Sequence, residues 1–200
     1  MKRGASLIVM TCLAGSLAGC SSMPWTEHDA QLYSPVNGQV GEGQSGLKPD
    51  DKLSIGDIPV CLDKPGSVTI TKVEPVGAMN GMTVVAFAVR TIPDGTTPMG
   101  AAIGDLTAMG VTPAEQQQRE VSNVCGAQSR ANLQLQGPPP AGTEERRVEV
   151  DVSVIATTLP ASSQAFRILY RDASGDERST LSNIALTMCG GKVVDPCVPK

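Results

Sequence analysis

Histidine is nearly missing from this chain: the single one, His28, sits close to the start. That scarcity excludes much. A Ser-His-Asp or Cys-His nucleophile needs an imidazole within hydrogen-bond reach, and a histidine-ligated catalytic zinc needs several. Residues 57–200 supply neither. Aromatic residues are almost as rare: Trp25, Tyr33, Phe87, Phe166 and Tyr170 are the full set. Few rings are present to stack on sugars, and a core must be built from Val, Ile, Leu, Ala and Met. Basic charge is also short, with 16 Lys and Arg against 20 Asp and Glu, net −4. Nucleic acid needs a basic footprint and is not an expected partner. Nor is there an apolar run of the about 20 residues that a membrane-crossing helix wants.

The longest such run opens the chain. Met1-Lys2-Arg3 is cationic, and Gly4 to Gly19 carries no charge. A basic start, a brief apolar centre and small residues at the end are the layout of a secretory signal. Lys2-Arg3 is no twin-arginine pair, so the general secretion route is favoured. Leu17-Ala18-Gly19-Cys20 resembles the lipobox of bacterial lipoproteins. The resemblance implies a diacylglyceryl group on the Cys20 sulfur and cleavage just before it, with Cys12 discarded in residues 1–19. Two acyl chains anchor a protein stably where one is marginal, which would place the remainder on the outer face of the cell membrane. Losing Lys2 and Arg3 makes that remainder more acidic, so membrane contact is expected through lipid rather than charge. In layout the chain also resembles small secreted actinobacterial lipoproteins. That resemblance rests on the lipobox, a Gly/Ser-rich stretch, Pro65-Gly66-Ser67-Val68-Thr69-Ile70-Thr71 and a last strand ending in Met188-Cys189.

Residues 20–56 are rich in Gly, Ser, Pro, Asp and Gln, without a period of 2 or 3.6. They read as a flexible, lipidated tether. GEGQSG, residues 41–46, matches the dinucleotide fingerprint by letter, but the strand before it and the helix after it are missing. Ser45 to Lys48 matches S-x-x-K without its partner motifs.

Residues 57–200 read as one domain. Strands are expected over 68–73, 82–90, 147–155, 164–171 and 180–188. Asn80-Gly81 predicts a hairpin turn between the first two, because a type I′ turn needs positive φ at both positions. The clearest strand points Val148, Val150, Val152 and Val154 one way and Glu149, Asp151 and Ser153 the other. Phe166, Ile168 and Tyr170 share a face of the fourth run, which the turn Asp172–Glu177 joins to the fifth as a hairpin. Thr112-Pro113-Ala114-Glu115 is a capping box opening a short helix over 113–119, with a weak strand over 120–125. The segment 93–110 reads mainly as loop, and Gly137 to Gly142 as a stiff one. The expected fold is all-β, an antiparallel immunoglobulin-like β-sandwich of about six or seven strands.

With Cys20 given to lipid, Cys61, Cys125, Cys189 and Cys197 remain as disulfide candidates in an oxidising compartment, and they allow three pairings. An up-and-down strand order favours Cys61–Cys189 and Cys125–Cys197. No CxxC spacing points to zinc, and no cofactor is expected.

Few side chains suggest chemistry. Glu149 and Asp151 share a strand face and form the one pair that a carboxylate-dependent cell-wall hydrolase could use; the expected reading is a solvated strand face. Asp172, Asp176 and Glu177 cluster in a turn without EF-hand spacing for calcium. Met79 and Met82 flank the Asn-Gly turn, where thioethers would suit Cu(I) if they were not core filler. The leading expectation is a non-enzymatic binding or structural module of the cell envelope. It would meet a protein or wall polymer through sheet edges or through the loops 93–112 and 137–146. A Cu(I) or small-ligand binder is the alternative, and the hydrolase a further one.

Overall fold

The computed structural model describes residues 29–36, 40–93, 100–138, 141 and 146–191. Cys20 and its lipobox (Leu17, Ala18, Gly19), Cys12, Trp25, His28 and Cys197 lie outside them. The described residues are all-β apart from short helical turns. In chain order the strands begin with β1 (Leu32–Tyr33), β2 (Val40–Leu47), β3 (Leu53–Pro59), β4 (Cys61–Leu62) and β5 (Val68–Val76). Then come β6 (Thr83–Ile92), β7 (Ala101–Ile103) and β8 (Glu120–Val121), followed by the six-residue helix α1 (Ala127–Asn132). β9 (Arg147–Ile155), β10 (Ala161–Ser163), β11 (Ala165–Arg171), β12 (Glu177–Ser182) and β13 (Ile184–Gly190) complete the order.

Two four-stranded antiparallel sheets dominate, ordered β6-β9-β3-β7 and β12-β11-β5-β8. A third sheet, β10-β13-β2, contains the parallel pair β13–β2, and β1 pairs with β4. All four contribute to one apolar core. Val150, Val152 and Val154 of β9 meet Ile55 and Ile58 of β3, Ile70 of β5, Phe166 and Ile168 of β11, and Leu186 and Met188 of β13. With so few rings available, branched aliphatic residues do the filling, at roughly 1.5–3 kcal/mol for each large side chain fully buried.

Several strands form where the sequence placed them: β5, β6, β9 and β11 cover four of the expected runs, though β6, whose run is apolar on both faces and reads as central, lies at the edge of its sheet. Phe166, Ile168 and Tyr170 are all buried. The fifth run divides at Asn183. Its first part stays beside β11 as β12, while β13 leaves for another sheet.

Four expectations are corrected. The boundary at residue 57 falls inside β3, and much of the supposed tether is folded: β3 is an inner strand and β2 pairs along β13. The Gly-rich β2 lacks alternation because its backbone, paired through the ladder, holds it in place. Its GEGQSG letters therefore lie in a strand rather than in a strand-to-helix turn. Asn80 and Gly81 do take positive φ, 57° and 71°, but the strands they join pair with other partners. β5 lies against β11 and β8, and β6 against β9. The turn thus passes the chain from one sheet to another.

The disulfide joins Cys61 to Cys125, not Cys61 to Cys189, and so excludes Cys125–Cys197 as well. It ties β4 to the segment ahead of α1, where the Cys125 N–H already donates to the Leu62 carbonyl at 2.8 Å. Cys189 is also disulfide-bonded, to a sulfur outside the described residues. The number of strands, thirteen among the described residues, exceeds six or seven because β1, β4, β7, β8 and β10 are too short for a period of two to register.

Candidate functional site

β9 is covered on both sides. Its valine face meets the core; its other face lies under the segment 104–111. There a 3-10 turn, Leu106–Met109, packs Leu106, Met109 and Val111 against Ala88 of β6. The Asp105 side chain starts this turn by accepting from the Thr107 N–H at 3.0 Å, and Gly110 ends it at φ 77°. The polar residues of β9 are sealed beneath. Glu149 and Asp151 are each 0% exposed, as are Ser153 and its neighbour Ser54 on β3. The solvated strand face expected from sequence is thus an interior one.

Arg90, opposite Glu149 on β6, supplies the counter-charge. Its Nη2 donates to Glu149 Oε1 at 2.8 Å, and its Nε lies 3.0 Å from Asp151 Oδ2. That second contact is too bent for a hydrogen bond, but Arg90 Nη2 also donates to Asp151 Oδ1 at 3.4 Å. Arg90 Nη1 donates to the Met109 carbonyl at 3.0 Å, which fixes the covering turn from below. Arg147 approaches Glu149 Oε2 at 3.8 Å but is half exposed and paired with Asp57. Two buried carboxyls therefore share the Arg90 guanidinium. Burial, and then the adjacent Glu149 charge, push the Asp151 carboxyl up to about 8, with Arg90 opposing; a hydrogen bond between the carboxyls adds to the rise. Asp151 carries a proton at neutral pH, and the cluster is close to neutral. As a hydrolytic pair the two carboxyls face an obstacle: at zero exposure no substrate reaches them.

The other named residues fall into place singly. Met82 is 2% exposed and packs in the core, whereas Met79 is 41% exposed. The turn therefore presents no pair of thioethers to Cu(I). Asp172 Oδ1 accepts from Ser174 N and Oγ and from Asp176 N, while Oδ2 accepts from Arg178 Nε at 2.6 Å. The Ser174 hydrogen bond, with Arg178 and Asp176 assisting, holds Asp172 below the usual carboxylate range. Its oxygens lock a turn, and an arginine stands where calcium would have to bind. Glu177 pairs with Arg171.

The open site lies on the other side of β6. The chain leaves the covering turn through Thr112, whose N–H and hydroxyl donate to Glu115 Oε2 at 2.8 and 2.7 Å, while Glu115 N–H donates to Thr112 Oγ1 at 3.3 Å. This is the capping box read from sequence. The helix it opens is a three-residue 3-10 turn, Glu115–Gln117. It stops because Gln118 turns extended and its carbonyl accepts from the Val89 N–H on the edge of β6. Arg119 then stacks on Phe87, 4.3 Å from the ring centroid, and the chain enters β8 on the opposite sheet.

Below this crossing the sheets stay apart and leave a cleft of about 790 Å³. Val89, Thr91 and Val148 line one side, Val121, Ser122 and Val124 the other, and Glu115 and Glu120 add negative charge. A smaller cleft of about 290 Å³ beside α1 shares Asn123 with it. Asn123 Nδ2 donates to the Val60 carbonyl at 3.0 Å and to the Arg146 carbonyl at 3.4 Å, which fixes the amide's orientation. Its buried Oδ1 has no donor among the described residues. Sequence reasoning placed residues 120–125 in a weak strand and pointed to sheet edges and to the loop 137–146. It carried no signal for a gap between two sheets.

No protein-family model matches the chain, and no curated protein matches it significantly. Among solved structures it is similar to the "Structure of Vibrio cholerae VesB protease", with a TM-score of 0.32 and 11% identity over 81% of this chain and 32% of that one. The chain spans about a third of that structure's length, and a likeness this distant carries no argument.

Proposed function

We propose that this chain is an exported lipoprotein, anchored through Cys20 on the outer face of the cell membrane, that binds an envelope partner without catalysing a reaction. The observation that carries the binding role is the cleft between β6 and β8. It is a concave opening between two sheets that mixes aliphatic residues with polar ones, among them two carboxylates, and clefts of this size are where ligands bind. Glu149 and Asp151, the carboxyl pair that the sequence offered for hydrolysis, are walled in, which favours binding over hydrolysis by that pair. The anchor reading rests on Leu17-Ala18-Gly19-Cys20 and on the cationic start. Among the described residues no helix is long and apolar enough to cross a membrane. We read the sheets as a variant of the immunoglobulin-like sandwich. Two four-stranded sheets sharing one core support this, while the parallel β2–β13 pair is a departure from an all-antiparallel plan.

Two measurements test the proposal. Mass spectrometry of the N-terminus in producing cells should find a diacylated Cys20; an intact Met1 or an unmodified start removes the anchor. A photo-crosslinking residue at Ser122 should capture a discrete envelope partner in intact cells, and the same residue at Ser179, on exposed β12, should not. Equal capture from both sites removes the cleft as the binding surface.

A further inference from the structure

Hydrogen bonds around the cleft reveal which backbone groups face it. Val89 N–H bonds outward from β6 to the Gln118 carbonyl at 3.3 Å, while the Val148 carbonyl of β9 bonds away from β6, accepting from Val60 N–H at 2.9 Å. Val89–Val150 and Thr91–Val148 are therefore non-hydrogen-bonded pairs of the β6–β9 ladder. The Thr91 N–H and C=O, and the Val89 C=O, point out from the sheet edge.

The facing wall has the same property. Arg119 C=O accepts from Ile70 N–H at 2.9 Å, Asn123 C=O from Leu62 N–H at 2.9 Å, and Cys125 N–H donates to Leu62 C=O at 2.8 Å. Odd-numbered residues from 119 to 125 thus turn towards β5 and β4. By alternation, Glu120, Ser122 and Val124 turn their backbone groups towards the cleft, where the Glu120 carbonyl already accepts from Gln118 Nε2 at 3.3 Å. Two strand edges with outward amides line one opening. Edges in this state are templates for another strand.

We propose that the cleft binds an extended polypeptide segment of a partner protein by β-strand addition, with alternate aliphatic side chains and a Lys or Arg. This rests on the binding role proposed above and names its partner class. Main-chain hydrogen bonds to Thr91 and Ser122 supply affinity, and side-chain pockets supply choice. Val124, half-buried in the cleft wall, with the exposed Pro65 and Ala114, receives the aliphatic side chains. Glu115 and Glu120 attract the basic one, since Arg146, the cation among the lining residues, already has a partner. A glycan offers no alternating apolar side chains and no backbone ladder.

A displayed library of random short peptides, selected against the full chain, tests this. Enriched peptides should alternate aliphatic and polar residues and include a basic one. Thr91→Pro and Ser122→Pro each delete an outward N–H without touching the β6–β9 or β5–β8 ladders, and proline is tolerated at such edges. Each should bind a selected peptide about tenfold more weakly, the effect of one lost backbone hydrogen bond, while Thr91→Val binds normally. If a proline variant fails to fold, N-methylation of alternate peptide amides against the unaltered chain gives the same readout. Failure to enrich any peptide, or undiminished binding to both proline variants and to N-methylated peptide, overturns the proposal. So does a dimer of this chain that Thr91→Pro abolishes, which assigns the slot to a second copy. Crosslinking from Ser122 in cells without peptide binding leaves the binding role standing and removes strand addition. Peptide binding without crosslinking does the reverse.

Discussion

The two faces of β9 differ by one residue in register and by everything in chemistry, yet both are inside the protein. Val148, Val150, Val152 and Val154 enter the shared core. Glu149, Asp151 and Ser153 enter a second interior under the Leu106–Met109 turn. The valine face gains free energy simply by leaving water. The polar face loses hydration and recovers only what Arg90 and one retained proton return. Alternation reveals which side chains share a face, but whether that face meets water depends on what lies over it.

The comparison is broken most severely at Arg90. Arg90→Ala strands two carboxyls in a closed interior and releases the Met109 carbonyl. Denaturant unfolding should show a loss of about 3–5 kcal/mol, the range for removing one partner of a buried pair. On the other face, Val152→Ala should cost less, about 2 kcal/mol, from lost burial and a residual cavity. A Val152 effect larger than that of Arg90 would mean that the polar interior is wetter than its zero exposure indicates.

Acidity sharpens the contrast further, because only one face titrates. Folded Asp151 holds its proton up to about pH 8, whereas the unfolded chain releases it near 3.8. Between those values the folded state binds more protons, so stability declines as pH rises through the window, and the whole cost is present above pH 8. Asp151→Asn keeps the shape and the donor without the charge. Its unfolding free energy should lose much of this slope and match or exceed that of the unaltered chain at pH 8. Equal slopes in the two proteins would contradict a proton at Asp151. The smallest effect is expected where the covering segment leaves β9: Thr112→Ala removes the cap on Glu115 and should cost about 1 kcal/mol in thermal unfolding.

How far the fold was legible follows from the same contrast. β5, β9 and β11 were readable because Val, Ile, Phe and Tyr recur at alternate positions, and β6 because its run is apolar on both faces. β2 was not, since its glycines carry no pattern, and β8 and β10 are too short to carry one. Asn80-Gly81 disclosed its backbone conformation, which is local, but not its strand pairing, which depends on distant residues. The Cys61–Cys125 link was hidden for that reason. Thr112 and Glu115 predicted their own hydrogen bonds correctly, while the helix length was decided by Gln118 meeting the edge of β6. Of the site, Glu149 and Asp151 were noticed for their spacing and misplaced in solvent, because nothing in β9 announces the turn that covers it. The cleft was invisible: its walls are contributed by Thr91, Ser122 and Asn123, ordinary residues brought together by a gap.

The central claim divides labour across β9: the buried charges hold the architecture, and the open cleft engages a partner. The most direct test is the yield of partner captured from a photo-crosslinking residue at Ser122 in cells, compared between the unaltered chain and its Asp151→Asn and Thr91→Pro variants at equal protein abundance. The claim predicts undiminished capture with Asp151→Asn and loss with Thr91→Pro. Loss with Asp151→Asn alongside full capture with Thr91→Pro would contradict it and move the function to the carboxyl cluster.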